Sequence, residues 1–371
     1  MNATRKIRAI TALSIFIVAL SSVTWYGLGH VNGKIARINV FGSLKDRPEK
    51  PNSALNYLVV GSDTREGLTK EQQKLMRVGS TKTAAGGRSD TMMLVHISKD
   101  RERVYIISLP RDSLVTIPEH LSSVDNKTVV PARQNKLNAA FAFGGAPLLV
   151  ATVEAETGLK IDHYIEVSFA SFANLVDALG GVDVCTKRDI NDPKSHLVLP
   201  AGNHTLNGVE ALKYVRTRDF DGRGDIGRMA RQQQFISAII RKATSTGVLL
   251  NPVKLLNTFN AAIATLRTDE QLDENDLLTL VKQMRNLSTG NVRTLTVPLS
   301  NANGSAPGIG SVVVWSPTLA TELFTRILND QPIIDEVTPS PSASASASPK
   351  AEIVDKFKST TAQENPCGEI K

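Results

Sequence analysis

Runs of apolar residues, separated by polar stretches, divide the chain into predicted strands and helices. Three short runs are almost continuously apolar, which is typical of strands buried on both faces of a sheet: 56–60, 92–97 and 104–109. Further strands are predicted at 163–167, 182–185, 292–297 and 311–315. Helical spacing of apolar positions occurs in 147–157, 169–179, 208–215, 227–243 and 274–287. Mixed elements of these lengths predict an α/β sandwich with a central sheet.

A long uncharged stretch lies near the N-terminus. Residues 9–33 contain no Lys, Arg, Asp or Glu, and about 20 apolar residues are enough for a helix to cross a bilayer. A basic cluster precedes the stretch, and Trp25 with Tyr26 lie near its far end, which is typical of an anchor with its basic flank inside. We predict a cytoplasmic segment 1–8 and a transmembrane signal anchor 9–33, in a single-pass protein of the cell membrane whose remaining chain is extracytoplasmic. A cleaved signal peptide and a buried soluble helix are the alternatives.

The rest of the chain divides into three predicted parts. Residues 34–54 are polar and contain proline, and are predicted to be a stalk. Residues 55–332 are predicted to form the folded domain. Residues 333–371 are predicted to be a low-complexity Pro/Ser/Ala linker with a polar tail, because such a composition cannot build a core.

The two cysteines, Cys185 and Cys367, are too few for a disulfide scaffold and have no zinc-binding spacing. In an exported protein they could pair and tie the tail to the domain, or they could be two unrelated thiols.

Charge and missing motifs limit the function. The net charge of +7 and pI near 9.3 indicate an anionic partner, which could be nucleic acid, a phosphorylated lipid or an anionic membrane. The sequence contains no P-loop, no G-x-S-x-G elbow and no H-E-x-x-H helix. Nucleotide hydrolysis by a P-loop, serine-hydrolase chemistry and zinc catalysis of the H-E-x-x-H type are therefore disfavoured.

Two acidic residues lie next to predicted strands. Asp63 follows the strand 56–60 and Asp90 precedes the strand 92–97, and each has an arginine two residues away. If these strands are neighbours, the two carboxylates could hold Mg²⁺ together with phosphate oxygens. The alternative is that both side chains only cap turns.

Arginines are concentrated in one later segment. Between positions 216 and 231 the chain has Arg216, Arg218, Arg223, Arg228 and Arg231, interleaved with three aspartates. Arginine binds phosphate with two parallel hydrogen bonds. On an extended stretch the first two would point to one side, and the last two would lie on one face of the following helix, near an N-terminus that attracts anions. With Arg111, which follows the strand 104–109, these side chains predict a site for a diphosphate with a metal, although a solvated, salt-bridged loop would also fit.

The sequence resembles the LytR-CpsA-Psr (LCP) family of bacterial cell-envelope enzymes. The resemblance runs from about Asn56 to Ala243 and continues weakly to about Asp330. It rests on motifs that occur in order: NYLVVGSDTR, GRSDTMMLVHIS, ISLPRDSLVTIP, KLNAAFAFGG, TGLKIDHYIEVSF, LVDALGGVDV and LPAGNHTLNGVEALKYVRTRDFDGRGDIGRMARQQQF.

The resemblance implies a three-layer α/β/α sandwich with a central mixed sheet and a glycopolymer phosphotransferase. Such an enzyme transfers a glycopolymer from a polyprenyl pyrophosphate carrier to a cell-wall acceptor such as peptidoglycan. The implied partners also include membrane lipid, and no nucleic acid is expected to bind. The acceptor hydroxyl attacks the phosphate that bears the sugar, with Mg²⁺ as cofactor. The prenyl chain would lie in an apolar tunnel, for which Leu148, Val153, Phe169, Phe172 and Leu175 are candidates that could equally be plain core.

Family roles fall on matching positions of this chain. Asp63 and Asp90 are implied as Mg²⁺ ligands, and Asp225 as a residue that orients an arginine or assists proton transfer. Arg111, Arg216 and Arg218 are implied in catalysis as well as in pyrophosphate binding. The implied pyrophosphate-binding residues are Arg65, Arg88, Arg111, Lys136, Arg216, Arg218, Arg228, Arg231 and Gln232. Pairing of Cys185 with Cys367 would also suit the family's relatives from high-GC Gram-positive bacteria.

Two other functions remain open at this level. A hydrolase of polyprenyl pyrophosphate would have the same site, because water and a sugar hydroxyl attack phosphate alike. A membrane-anchored binding or regulatory protein is the other, although a DNA-binding role would require a basic cytoplasmic domain and only about eight residues precede the predicted anchor.

Overall fold

The computed structural model describes residues 36–65, 68–78, 89–125, 127–218, 221–222, 224–245, 258, 260, 266–284, 287–337, 352–365 and 367. The predicted anchor, 9–33, therefore lies outside the described residues. The helices are α1 (Lys70–Met76), α2 (Leu137–Thr157), α3 (Phe169–Ala178), α4 (Gly208–Arg216), α5 (Gly224–Ser245), α6 (Glu274–Gln283) and α7 (Pro317–Leu328). The strands are β1 (Ala36–Ile38), β2 (Leu55–Ser62), β3 (Ser89–Ile97), β4 (Val104–Leu109), β5 (Leu114–Ile117), β6 (His120–Leu121), β7 (Val129–Val130), β8 (Arg133–Lys136), β9 (His163–Val167), β10 (Val182–Thr186), β11 (Ile190–Asp192), β12 (Leu197–Leu199), β13 (Gly202–Leu206), β14 (Arg267–Asp269), β15 (Val292–Thr296), β16 (Leu299–Ala306), β17 (Gly310–Trp315), β18 (Asp335–Val337), β19 (Glu352–Val354) and β20 (Thr360–Thr361).

An eight-stranded mixed sheet forms the centre of the fold. Its strand order is β1-β14-β9-β2-β3-β4-β15-β20. The pairs β1–β14, β2–β9 and β4–β15 are parallel and the other pairs are antiparallel. The predicted mixed α/β fold with a large central sheet is thus confirmed.

Helices pack against both faces of this sheet. Side chains along a strand point alternately to the two faces, and the apolar side chains of β2 therefore contribute to a core on each face. Leu58 and Val60 point into a core that they share with α2 and α7. Tyr57 and Val59 point to the opposite face, where they pack with residues of α5 and α6. Because both faces are covered, the central strands have no polar side, which explains their continuous apolar sequence.

A third cluster of buried residues lies beside the sheet. Helices α1, α3, α4 and α5 pack there around the ribbons β10–β13 and β11–β12. Gly208, at the start of α4, allows this packing, because a Cβ at that position would lie 2.5 Å from the Ala173 carbonyl oxygen of α3. This cluster supplies one wall of the cavity described below.

Two predicted strands are real but lie outside the central sheet. Residues 182–185 fall in β10, which pairs with β13. Residues 311–315 fall in β17, which pairs with β16. An apolar run predicts a strand, but it carries no information about which strand becomes its partner.

The predicted stalk, 34–54, is wrong for its described part. β1 pairs in parallel with β14, and Val40 is fully buried in the main core. The Val40 amide donates to Glu270 Oε2 at 2.9 Å. The polar composition of the whole stretch concealed a short apolar segment that completes the sheet edge.

The predicted tail, 333–371, is likewise part of the domain where the structure describes it. β19 pairs with β18, and β20 pairs with β15 at the edge of the central sheet. Ala362 is fully buried, and its amide donates to the Val292 carbonyl oxygen at 2.8 Å. The Ser/Ala-rich part, 338–351, lies outside the described residues. A disulfide joins Cys185 of β10 to Cys367, with 6.0 Å between the Cα atoms.

Helix α2 is long and apolar enough to cross a membrane by length and composition, and in the described part of the chain it is the one helix that passes this test. Its inner side is nevertheless core, because Leu149, Val150 and Val153 are fully buried. A kink divides it at Gly144–Gly145, where Gly145 has φ of +64°, a conformation that favours glycine. The helix is therefore a core element of the domain.

Candidate active site

Three arginines converge on the carboxylate of Asp225. The distance to Oδ2 is 2.8 Å from Arg228 Nη2 and 3.5 Å from Arg111 Nε. Arg218 Nε lies 3.3 Å from Oδ1. Asp225 lies in the first turn of α5, where the helix dipole favours a negative charge. The cluster therefore joins the end of β4, the segment after α4 and the start of α5 at one point.

A second carboxylate extends this cluster. Asp112 Oδ2 lies 3.4 Å from Arg111 Nε, and Asp112 Oδ1 lies 3.0 Å from Lys136 Nζ. A turn after β4 holds the backbone in position, since the Ser113 amide and hydroxyl both donate to the Pro110 carbonyl oxygen. Lys136, which the family resemblance implies as a pyrophosphate-binding residue, is thus brought next to Arg111 by their common contact with Asp112. Sequence reasoning assigned no role to Asp112, although its place directly after Arg111 was a usable signal.

An apolar cavity of about 260 Å³ opens beside the cluster. Part of its lining is polar and consists of Ser62, Asp63, Thr91, Ser168, Arg216, Arg228 and Gln232, and we call the charged part of it, Asp63, Arg216 and Arg228 with Gln232, the mouth. Its apolar lining comes from the sheet and from α3, α4 and α5: Val59, Met93, Val167, Phe169, Phe172, Leu175, Leu212, Val215, Phe235, Ile236 and Ile239. A narrow cleft lined by Arg111, Arg228 and Gln232 adjoins it. The site is therefore amphipathic, with cations in one part of its lining and hydrocarbon along the rest.

One face of α5 produces this change from charged to apolar. Arg228, Gln232, Ile236 and Ile239 follow one another at three- and four-residue spacing, which puts them on the same side of the helix. At 1.5 Å per residue, Arg228 and Ile239 are roughly 16 Å apart along the axis. Gln232 is held at the boundary, where its amide donates to Thr91 Oγ1 at 3.0 Å and to the Val215 carbonyl oxygen at 3.2 Å.

Arg216 is the last residue of α4, so the prediction of an extended stretch from Arg216 to Arg218 is wrong. Its Nη1 donates to the Met76 carbonyl oxygen at 3.2 Å, and its guanidinium lies over the Phe169 ring, 5.2 Å from the centroid. The contact with an aromatic face and a backbone oxygen fixes Arg216 at the mouth of the cavity.

Two implied phosphate ligands make structural contacts away from the cavity lining. Arg65 donates from Nε and Nη2 to the Val78 carbonyl oxygen, at 3.0 and 2.7 Å, and from Nη1 to the Asp63 carbonyl oxygen at 2.7 Å. Arg231 is nearly buried and donates to Asp221 Oδ2 and to the Thr217 carbonyl oxygen, both at 2.6 Å. Both side chains therefore brace loops that border the site. Arg88 lies outside the described residues.

The strand register brings the two implied metal ligands to one end of neighbouring strands. Gly61 pairs with Thr91, and Ser62 pairs with Ser89 across a register shift, so the backbone of Asp90 lies beside the end of β2. Asp63 follows directly and lines the cavity mouth. The Asp90 side chain lies outside the described residues, and within the described ranges no three His, Cys, Asp or Glu side chains cluster as a metal site.

One described carboxylate at this point, that of Asp63, is of the kind that Mg²⁺ takes together with substrate oxygens and water. This ion commonly takes one or two carboxylates, with phosphate and water as the other ligands. The buried Ser89 hydroxyl, which has no hydrogen-bond partner among the described residues, lies in the same strand end and adds a polar atom there.

Three of the five suggested tunnel residues line the cavity, namely Phe169, Phe172 and Leu175. Leu148 and Val153 belong instead to the main core on the opposite face of the sheet. Sequence reasoning missed the lining from α4 and α5. The sequence could have predicted this lining, because Phe235, Ile236 and Ile239 follow Arg228 at spacings that place them on the same side of one helix.

The fold and this site define a LytR-CpsA-Psr domain. The LytR_cpsA_psr family model matches residues 31–317, and the chain therefore belongs to that family. A probable cell wall biosynthesis protein, LcpB of Corynebacterium glutamicum, is 38% identical over 272 residues, which are 73% of this chain and 60% of LcpB. A polyisoprenyl-teichoic acid–peptidoglycan teichoic acid transferase, TagU of Bacillus cereus, is 36% identical over 186 residues, 50% of this chain and 57% of TagU. The chain thus spans about three fifths of the length of these relatives.

A solved structure of TagT bound to LI-WTA has the same fold. It superposes with a TM-score of 0.57 at 25% sequence identity, covering 79% of this chain and 99% of that chain.

Proposed function

We propose that this protein transfers a glycopolymer from a polyprenyl pyrophosphate carrier to a cell-wall acceptor such as peptidoglycan. The observation that carries the proposal is the apolar cavity with a mouth of cations, formed by Arg216 and Arg228 above the hydrocarbon lining. A ligand that fits both halves has a diphosphate joined to an apolar chain. The names of the relatives, which refer to cell-wall biosynthesis and teichoic acid transfer, support the same class of reaction.

The donor would bind with its prenyl chain along α5 and its diphosphate at the mouth. Arg216, Arg228 and the adjacent Arg111 and Arg218 would neutralise the phosphate oxygens. Asp225 would keep three of these guanidinium groups oriented, so that little reorganisation is needed when charge develops. Asp63 and Asp90 would hold Mg²⁺, which when bound would supply additional neutralisation of the diphosphate.

In the proposed reaction an acceptor hydroxyl attacks the phosphorus that bears the sugar. A new P–O bond to the acceptor forms, and the bond to the bridging oxygen breaks, so that polyprenyl phosphate leaves with the electron pair. The hydroxyl proton passes to a carboxylate of the site. The arginines stabilise the charge on the non-bridging oxygens and on the leaving phosphate.

The location follows from the same chemistry. A donor with a long prenyl chain is dissolved in a bilayer, and residues 9–33 have the length and composition of an anchor. We propose that the anchor holds the domain at the outer surface of the cell membrane.

A transfer assay with the full chain tests the proposal. Purified lipid-linked donor is incubated with the protein in the presence and absence of acceptor glycan, and the products are separated by mass. Transfer predicts a covalent glycopolymer–acceptor product, with polyprenyl phosphate released in equal amount. Release of polyprenyl phosphate at the same rate without acceptor would indicate a hydrolase, and tight binding without turnover would indicate a binding protein; either result would refute the proposal.

A further inference from the structure

One peptide unit next to the candidate site is held at both ends by charged side chains. It joins Thr217 to Arg218, where the chain leaves α4 in an extended conformation, with φ of −60° and ψ of 141° at Thr217. The carbonyl oxygen of this unit accepts a hydrogen bond from Arg231 Nη2 at 2.6 Å. Its amide donates to Asp192 Oδ2 at 2.5 Å. The unit therefore lies between a guanidinium and a carboxylate.

Both charged side chains are almost completely buried. Asp192 is 1% exposed and Arg231 is 6% exposed, and Thr217 between them is fully buried. Hydrogen bonds to ionised groups are about twice as strong as those between neutral groups, and a protein interior strengthens them further. A trans peptide unit is planar, and its N–H and C=O groups point in opposite directions. Bonds at both ends therefore fix the orientation of the whole unit.

The carboxylate of Asp192 serves two parts of the chain. Its Oδ1 accepts from the amides of Lys194 and Ser195, at 2.9 and 2.8 Å, in the turn between β11 and β12. An aspartate that caps a turn in this way is ordinary, and an asparagine would do the same through its one oxygen. The other oxygen, Oδ2, instead binds the Arg218 amide, 26 residues further along the chain. Both oxygens are thus used, which explains a carboxylate at this position better than turn capping alone.

The peptide unit that Asp192 holds leads directly into an arginine of the candidate site. Arg218 Nε lies 3.3 Å from Asp225 Oδ1, in the cluster that also contains Arg111 and Arg228. The rotamers that a side chain can adopt depend on the backbone dihedrals of its own residue. The orientation of the Thr217–Arg218 unit therefore limits where the Arg218 guanidinium can lie.

We propose that Asp192 is a positioning residue for Arg218. It holds the Thr217–Arg218 peptide unit against Arg231 and so directs the Arg218 guanidinium towards the donor diphosphate. The inference rests on the proposed function for the diphosphate, and on the two hydrogen bonds of the peptide unit for its geometry. It also gives Arg231 a role other than phosphate binding, because its guanidinium holds the opposite end of the same unit.

Hydrogen exchange tests this contact without any turnover. In the full chain, solubilised in detergent, the Arg218 amide is expected to exchange slowly with deuterium. Asp192→Asn should accelerate its exchange about tenfold or more, because the one remaining oxygen stays with the two turn amides and the NH₂ group then faces the Arg218 N–H. Asp192→Ser is a second variant, since its hydroxyl can cap the turn but ends one atom short of the Asp192 oxygens.

Asp189→Asn is the matched control. Asp189 is an exposed aspartate at the open end of the same hairpin, where its Oδ1 accepts from the Ala201 amide at 2.7 Å. The control should leave the exchange of the Arg218 amide slow. Slow exchange in both Asp192 variants would overturn the proposal. Equal acceleration in all three variants would do so as well, because the whole hairpin, rather than one carboxylate, would then hold Arg218.

A transfer assay tests whether Asp192 acts through Arg218. The protein is used in excess over a lipid-linked donor, so that slow variants remain measurable in a single turnover. Asp192→Asn is expected to lower the transfer rate about tenfold, because a small displacement of a charged group weakens its effect on the transition state. Asp189→Asn should leave the rate unchanged. In a protein that already carries Arg218→Gln, the substitution Asp192→Asn should lower the rate no more than about twofold, since the group that it positions is absent.

The outcomes separate this inference from the proposed function. A tenfold loss both with and without Arg218→Gln would refute the positioning role, because Asp192 would then act through other groups or through the fold. An unchanged transfer rate in Asp192→Asn would refute it too. Absence of transfer in the unchanged protein would refute the proposed function and leave the exchange result standing.

Discussion

Asp225 offers the sharpest test of how the arginines are positioned. The substitution Asp225→Asn keeps the size of the side chain and one oxygen acceptor, and it removes the charge that faces Arg111, Arg218 and Arg228. We expect the turnover number for transfer to fall, because the guanidinium groups lose the common partner that fixes their geometry. The Michaelis constant for the donor should stay the same or decrease, because the cluster becomes more positive.

The three contacts are weak as contributions to the free energy of unfolding, and their main effect is to position the guanidinium groups. Ion pairs with partial solvent access contribute about 0.2–1 kcal/mol each. The distances are 2.8, 3.3 and 3.5 Å, and Arg228 is only 5% exposed, which puts its pair above that range. Misplacement of the three guanidinium groups in the transition state is expected to cost about 2–3 kcal/mol of activation free energy, which corresponds to a decrease of roughly 30- to 150-fold in turnover. The free energy of unfolding should change by about 1 kcal/mol or less, because the amide still accepts from the nearly buried guanidinium.

The assay is steady-state transfer at varied donor concentration, with Asp112→Asn as the matched control. Asp112 contacts Arg111 and Lys136, so its loss leaves Arg218 and Arg228 in place and should lower turnover roughly fivefold. Unchanged turnover in Asp225→Asn would refute the positioning role. An increase in the Michaelis constant with unchanged turnover would instead make Asp225 a donor-binding residue.

Three further outcomes are expected. Arg216→Ala should lower transfer on the order of 10²–10³-fold and leave the fold intact, and Arg216→Lys should recover only part, because lysine cannot form two parallel bonds to phosphate; full activity of the alanine variant would remove Arg216 from the mechanism. Chelation of divalent metal should slow transfer and added Mg²⁺ should restore it, whereas an unchanged rate in EDTA would count against a metal role for Asp63 and Asp90. Burial lowers the pKa of His96 to about 4, below its value of about 6.5 in the unfolded chain. The contribution of this side chain to the free energy of unfolding is therefore fully present above about pH 6.5 and is lost as the pH falls towards 4. Relative to His96→Gln, denaturant titrations should give a loss of about 2 kcal/mol between pH 6.5 and 5, and identical slopes in both proteins would contradict this.

The strongest elements of the fold could be predicted because burial on two faces leaves a local signature. The continuously apolar run 104–109 coincides with β4, all of which is buried. The run 163–167, in which buried and half-buried residues alternate, coincides with β9, and the helical pattern 169–179 differs from α3 by one residue. Edge strands give no such signature. β1 and β20 have three and two residues, and their partners, β14 and β15, are distant in sequence. Their existence depends on tertiary pairing, which a local pattern does not contain.

The site could be predicted in its chemistry better than in its geometry. The excess of arginine over lysine indicated phosphate, and the acid at position 225 lies among three of the arginines. The same pattern could not distinguish Arg231 from Arg228, although both are in α5. Arg231 forms an ion pair with Asp221, whereas Arg228 lines the cavity. That difference is set by the positions of Thr217 and Asp221, the partners of Arg231, which residue spacing does not determine.

The bond between Cys185 and Cys367 makes the intervening chain a covalent ring. The ring contains Arg216 and Asp225, together with the Ser/Ala-rich stretch 338–351. A protease that cuts this stretch once would therefore open the ring and release nothing, since the two pieces stay joined by sulfur. The piece that bears β20 would separate on a denaturing gel only after a reductant had also been added. Nicked protein would thus migrate as one species without reductant and as two species with it.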